Sequence, residues 1–271
     1  MRFLHISDLH WGKKLSPLYA YNLREFIRKE KFDSILITGD LTQRAKKREF
    51  ISIKRYLDSL NTPYLAIPGN HDVPLYPVHL RFFAPYLRFK KFFKDELEPE
   101  LITKNVCVFG LCSAHSFTSS EGRIKKSQVE ILRKKLLRTS PSQKIIILIH
   151  HPIIYADPTD RDRTIWGAPL LIDLFNELPP HLILSGHYHH RFFYNLRDFY
   201  PKLSKDTYLF FTSTSTAERG RKKEEGRVGF NVIEIFEDIK IDRFISNGKN
   251  FINNESITLK GNYGREKTFA L

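Results

Sequence analysis

The sequence is short of cysteine, short of acid and without any long apolar run. Cys107 and Cys112 are its two cysteines, too few for a disulfide framework. Their odd spacing puts them on opposite faces of one extended strand, so no bridge between them is expected. The setting implied is reducing and cytoplasmic. Apolar runs such as Ile145 to Ile149 fall far below the ~20 residues that a membrane span needs. The first residues, Met-Arg-Phe-Leu-His-Ile-Ser-Asp, offer no apolar stretch ahead of a small-residue cleavage site, so no signal peptide is expected. There is no internal repeat and no low-complexity tract. Acidic residues number 30 against 44 Lys and Arg, a formal charge of +14. That excess favours anionic partners: phosphate esters, nucleic acid or an anionic membrane surface. Charge alone does not choose among them.

What is present is a chain with enough apolar residues for one large domain. Short, nearly continuous apolar segments recur at Phe3 to Ile6, Ser34 to Thr38, Tyr64 to Ile67, Val106 to Leu111, Lys144 to Ile149 and Leu182 to Leu184. They read as strands buried on both faces. Between them lie helix-period stretches. Phe50, Ile53, Leu57 and Leu60 form one stripe, and Val129, Leu132, Leu136 and Leu137 another, with Ser127 as the expected cap. Strand and helix alternate to about residue 190, which implies an α/β sheet. Tyr208 to Thr212, Val228 to Phe236 and Lys240 to Ile245 read as strands without helices between them, expected to build a second, more antiparallel sheet. The domain is expected to end at 246, with 247–271 as a loose tail. An insertion at 74–97 mixes Phe82, Phe83, Tyr86, Phe89, Phe92 and Phe93 with Arg81, Arg88, Lys90, Lys91 and Lys94. Its bland reading is a helical insertion packed on the body and broken at Pro85. Its functional readings are a substrate cap, a homodimer contact, or a membrane or lipid patch through 81–94.

Asp, His and Asn collect where the expected strands end. Asp8 and His10 follow the first, Asp40 the second, and Asn70, His71 and Asp72 the third. His150 and His151 follow the isoleucine strand; His187, His189 and His190 follow Leu182 to Leu184. In open α/β sheets, ligands sit at that edge. Taken singly, Asp-x-His or Gly-Asp is a surface turn, and His-His-Pro a strand end. Gly69-Asn70-His71-Asp72 is more specific, because a turn has no need of all three polar side chains. Imidazole, carboxylate and amide oxygen together suit borderline divalent cations such as Mn²⁺, Fe²⁺, Zn²⁺ or Co²⁺. An all-oxygen Mg²⁺ or Ca²⁺ site would not use so many histidines.

The order Asp8-Leu9-His10, Gly39-Asp40, Gly69-Asn70-His71-Asp72, His150-His151-Pro152, Gly186-His187-Tyr188-His189 resembles the calcineurin-like metallophosphoesterase superfamily. The resemblance implies an α/β, four-layer α-β-β-α sandwich with two packed mixed sheets. It implies two divalent ions, manganese first, then iron or zinc. One would be held by Asp8, His10, Asp40 and His189, the other by Asp40, Asn70, His150 and His187, with Asp40 shared. His71 would assist the leaving oxygen, and Asp72 would orient a neighbour. His151 and His190 have no ligand role in the pattern. The implied activity is hydrolysis of a phosphodiester by a metal-activated water. Gln43 stands where purple acid phosphatases carry a tyrosine ligand. The Asp-Arg pair of protein Ser/Thr phosphatases is missing. What remains is most similar to small bacterial cyclic nucleotide and glycerophosphodiester phosphodiesterases. The alternatives are a pyrophosphatase on a nucleotide-sugar lipid, a DNA nuclease of the repair type (nucleic acid being the less favoured partner) and a binding module without chemistry. Trp11, Tyr155, Trp166 and Arg163 are expected to line the substrate pocket, and 219–223 to form a basic lip.

Overall fold

The structure, a computed structural model, describes residues 1–94, 96–155, 164–217 and 228–260, and a strand at 265–268. Arg163 and 219–223 lie outside the described residues. In chain order the elements are β1 (Arg2–Ile6), α1 (Pro17–Lys29), β2 (Ser34–Thr38), α2 (Lys47–Asp58), β3 (Tyr64–Ile67), α3 (Val78–Phe83), α4 (Leu87–Phe92), β4 (Glu100–Ile102) and β5 (Val106–Leu111). There follow α5 (Lys126–Leu136), β6 (Lys144–Ile149), α6 (Ala168–Glu177), β7 (Leu182–Ser185), β8 (Phe193–Asn195), β9 (Tyr208–Phe211), β10 (Gly229–Ile235), β11 (Ile239–Ser246), β12 (Phe251–Leu259) and β13 (Arg265–Thr268).

Two mixed sheets result. One runs β13-β12-β11-β10-β1-β2-β3 and the other β4-β5-β6-β7-β9-β8. Each central strand is apolar on both faces, and its alternate residues enter different cores. Phe3 and Leu36 join Ile146, Leu148, Leu182 and Leu184 between the sheets. Leu4, Ile35 and Ile37 face outward onto Leu23, Ile27, Phe50 and Ile53 of α1 and α2. Ile147, Ile149 and Ile183 face the other way onto Leu132, Leu136, Leu171 and Phe175 of α5 and α6. Helix, sheet, sheet, helix is the four-layer order that the resemblance implied.

Three expectations about placement need correction. The closing strands do not build a sheet of their own. β10 pairs antiparallel with β1 and carries β11 and β12 with it, while β9 joins β7 in parallel. The segment after 246 is not a loose tail: β12 pairs with β11 along its length and buries Ile257 and Leu259 between the sheets. A register shift opposite Arg243 and Phe244 breaks the two-residue alternation that would have marked it. Ser127 is not the cap of α5, which begins one residue earlier. The Lys125 N–H instead donates to Gln128 Oε1 at 2.9 Å. Cys107 and Cys112 are free and buried. Among the described residues, no helix is long and apolar enough to cross a membrane.

The insertion divides as Pro85 dictates. Phe89 and Phe93 of its second half are buried and, with Phe92, pack around Phe50 of α2. Phe82 and Phe83 of its first half are exposed, and Arg81 is buried, its guanidinium donating to the Pro74 and Thr118 carbonyls.

Candidate metal centre

The parallel strands β1, β2, β3, β6 and β7 all point their C-terminal ends at one place. The turns there are unusual in backbone as well as in composition. Among the described residues, eight non-glycine residues have positive φ, and five of them are Asp8, His10, Asp40, His187 and His189. A left-handed conformation costs an L-residue about 1–2 kcal/mol. Its concentration on these five marks turns shaped for their side chains rather than for stability.

Asp8, His10, Asp40 and His189 form one group, with one potential ligand atom from each within 4.8 Å of the others. His10 Nε2 and His189 Nε2 lie 2.9 Å apart, and His189 Nε2 is 3.2 Å from Asp8 Oδ1. His10 Nε2 stands 3.8 Å from both Asp8 Oδ1 and Asp40 Oδ2. Donors ~2.1 Å from one cation are separated by about 3–4 Å, so this spacing fits a shared divalent ion. Asp8 Oδ1 is fully buried yet has no hydrogen-bond partner, a deficit that a cation would satisfy.

The other oxygen of Asp40 faces a second group. Oδ1 is 3.5 Å from His150 Nε2. Asn70 Oδ1 lies 3.2 Å from His150 Nε2 and 3.1 Å from His187 Nδ1. The two carboxylate oxygens of Asp40 thus look into different donor sets.

A set of supporting contacts aims these donors. His150 Nδ1 donates to the Thr38 carbonyl at 2.6 Å, leaving Nε2 to face the site. Asn70 Nδ2 donates to the Ser119 carbonyl, which turns Oδ1 inward. The His187 N–H donates to Asp8 Oδ2, and the His71 N–H to Asp40 Oδ1. Asp72 binds neither group. Its carboxylate accepts from the N–H groups of Leu41, Thr42 and Gly69 and from the Thr42 hydroxyl. It therefore ties the Asp40 turn to the Asn70 turn. Burial, aided by Asp40, pushes its carboxyl up to about 6 against the pull of those N–H donors. His71 Nδ1 lies 2.8 Å from the Gln43 carbonyl, and its Nε2 is 4.0 Å from Asp40 Oδ2.

Burial and neighbouring charge set the protonation states of the cluster unevenly. Burial drives His10 down to about 3, so its imidazole is neutral and its lone pair free. Burial works against the charged form of Asp8 and Asp40, but the surrounding imidazoles, His189 foremost at Asp8 and His150 at Asp40, hold both below the usual carboxylate range. Burial lowers His150 too; the Asp40 and Asp8 carboxylates outweigh it and draw it upward.

Two glycines are required by close approach. A Cβ on Gly69 would lie 2.2 Å from Asp40 Oδ1, and one on Gly186 2.0 Å from Ser7 Oγ and 2.5 Å from Asp8 Oδ2. Gly69→Ala is therefore expected to displace Asp40 and to lower turnover at least ~100-fold, since misplacing a reacting group by about 1 Å has that effect. Metal content and rate, measured beside an unchanged far-ultraviolet circular dichroism spectrum, check this.

The remaining histidines and aromatics divide between the metal cluster and the body of the fold. His151 is buried with Nδ1 2.8 Å from Ser113 Oγ, and groups with His150 and His187. His190 stacks on Phe192. Around the metal cluster a cavity of about 280 Å³ is lined by Asp40, Gln43, Asn70, His71 and Ser119, among others. Trp11, Tyr155 and Trp166 are not among the lining residues. Trp11 is buried and donates from Nε1 to Ser52 Oγ, while Trp166 packs near His115. Sequence reasoning missed Thr38, Gln43 and Ser119 as supports, because they act through backbone carbonyls, which every residue carries.

Carboxylates, imidazoles and an amide converge at strand ends of a four-layer sandwich, a donor set suited to divalent cations. The family model for calcineurin-like phosphoesterases matches residues 1–191. The chain belongs to the calcineurin-like phosphoesterase family, and is a hydrolase of phosphate esters. It is 24% identical over 210 residues to a 3′,5′-cyclic-nucleotide phosphodiesterase of Nostoc sp., covering 76% of this chain and 73% of that protein. It is 28% identical over 187 residues to a protein of Arcobacter nitrofigilis named probable glycerophosphodiester phosphodiesterase, covering 67% and 64%. Several other matched cyclic-nucleotide phosphodiesterases are spanned over less than two thirds of their length. A dimetal phosphatase from Danio rerio superposes with a TM-score of 0.68 over 97% of this chain and 99% of that one, at 12% identity, a likeness of fold.

Proposed function

We propose that the protein is a binuclear, divalent-metal-dependent phosphodiesterase acting on a small diester, in the manner of the cyclic nucleotide and glycerophosphodiester enzymes it is similar to. The observation that carries the reading is Asp40, whose two oxygens face different donor sets. Asp8, His10, Asp40 and His189 would hold one ion, and Asp40, Asn70, His150 and His187 the other, manganese being the first choice. Bound there, two cations supply Lewis acidity toward the phosphate oxygens and acidify an attacking water. The chain's own part is orientation and proton transfer. Asp40 holds the two sites in fixed separation, and Asp72 locks the turns that carry Asp40 and Asn70. His71, fixed through Nδ1 to the Gln43 carbonyl, presents Nε2 to the cavity and donates a proton to the departing oxygen.

The Mn²⁺-loaded protein is expected to hydrolyse a small diester, with a rate that changes little between 50 and ~200 mM salt. A panel of a cyclic nucleotide, a glycerophosphodiester, a nucleotide-sugar lipid and linear DNA checks this. Activity confined to DNA and falling steeply with salt would replace the reading with a nuclease. Activity confined to the lipid in detergent would replace it with a pyrophosphatase.

A further inference from the structure

Beside the metal cluster lies a larger cavity of about 700 Å³ that the reaction above does not use. Its walls are Trp11, Gly12, Lys13, Lys14 and Leu15 from the loop after β1, Gln43, Arg44 and Lys46 from the segment ahead of α2, and Arg48, Glu49 and Ser52 of α2. The two cavities share Gln43 and Arg44. Five of the lining side chains, Lys13, Lys14, Arg44, Lys46 and Arg48, are cations, and all five are exposed. Among the described residues none of them is ion-paired. Among the described residues the one lining carboxylate is Glu49, which is buried, its Oε2 accepting from the N–H groups of Arg44 and Lys46. At the junction, the side chain of Gln43 is buried and its Oε1 has no hydrogen-bond partner.

Such an arrangement favours an anion strongly. Unpaired cations gathered in a concave site add their fields, and five of them outweigh the single charge of Glu49 in the first turn of α2. Resting on the phosphodiesterase reading, we propose that this pocket is a second substrate subsite, which binds a phosphate group other than the one being hydrolysed. Among small diesters, those that carry a second phosphate, such as a 5′-phosphorylated linear dinucleotide, are then the preferred substrates. The scissile phosphate lies over Asp40 and His71, the chain of the substrate passes Gln43, and the second phosphate sits among Lys13, Lys14, Lys46 and Arg48.

The test compares the 5′-phosphorylated dinucleotide pTpT with its unphosphorylated form TpT, and uses bis(4-nitrophenyl) phosphate as a substrate without a second anion. Wild-type protein is expected to favour pTpT over TpT in kcat/KM. The triple variant Lys13→Ala/Lys46→Ala/Arg48→Ala, all exposed residues away from the metal cluster, is expected to raise KM for pTpT roughly 10- to 100-fold, the range for lost charged hydrogen bonds. It is expected to keep kcat and to leave bis(4-nitrophenyl) phosphate turnover unchanged. Equilibrium binding of pTpT to both proteins in EDTA reads the subsite without catalysis. If bis(4-nitrophenyl) phosphate is not cleaved by the metal-loaded wild type, the phosphodiesterase reading fails, while the binding arm still judges the pocket. Equal affinity of wild type and triple variant for pTpT, or no preference for pTpT over TpT, overturns the proposal.

Discussion

Asp40→Asn is expected to lower turnover of any diester by at least ~10³-fold, about 4 kcal/mol of transition-state stabilisation. The substitution keeps the shape of the side chain and one oxygen. That oxygen can still accept from the His71 N–H, as Asp40 Oδ1 does at 2.8 Å, so the turn should stay intact. What is lost is the charge, and with it one of the two oxygens that face His10 and His150. An amide nitrogen cannot ligate a cation, so one site loses a donor and both lose the anion between them. The loss should therefore appear in metal content as well as in rate. In thermal unfolding, the rise in Tm on adding Mn²⁺ should shrink, because binding to the folded state is what raises it. A non-catalytic member of the fold would show no such loss of activity, having none to lose.

His71→Ala is expected to separate metal binding from turnover. His71 lies on the cavity wall, with Nδ1 against the Gln43 carbonyl and Nε2 facing Asp40 at 4.0 Å. No donor set depends on its ring, so metal content should be unchanged. General acid catalysis is worth typically 10²–10⁴-fold. That is the fall in kcat expected for a diester with an alkyl leaving group. For bis(4-nitrophenyl) phosphate the fall should be much smaller, because 4-nitrophenolate leaves without a proton. Equal losses for both substrates would remove His71 from the leaving-group role and leave it a positioning residue.

Much of this site was legible in the sequence, for a reason visible in the fold. Parallel strands deliver their C-terminal ends to one edge, so blocks far apart in sequence could be placed together once each was seen to follow an apolar run. Asp8, Asp40, Asn70, His150, His187 and His189 were assigned to one edge in this way, and the structure brings them together there. What stayed hidden was of two kinds. The carbonyls of Thr38, Gln43 and Ser119 hold His150, His71 and Asn70 in place, and a carbonyl leaves no trace in residue type. The closing strands were recognised as strands, but their partners were not. Pairing of β10 with β1 joins residues about 230 positions apart, and no local pattern encodes that. β12 was missed because a bulge interrupts its alternation and because Asn253 and Asn254 read as turn residues. Trp11 follows His10 directly, yet its ring turns away from the metal cluster to pack against Tyr56, a choice made by packing.

The most direct measurement is the number of Mn²⁺ or Zn²⁺ ions that the purified protein binds, by equilibrium titration with elemental analysis. Two ions per chain, with at least one lost in Asp40→Asn and none lost in His71→Ala, is the predicted result. A wild-type protein that takes up no more than one ion at saturating metal would contradict the account at its centre.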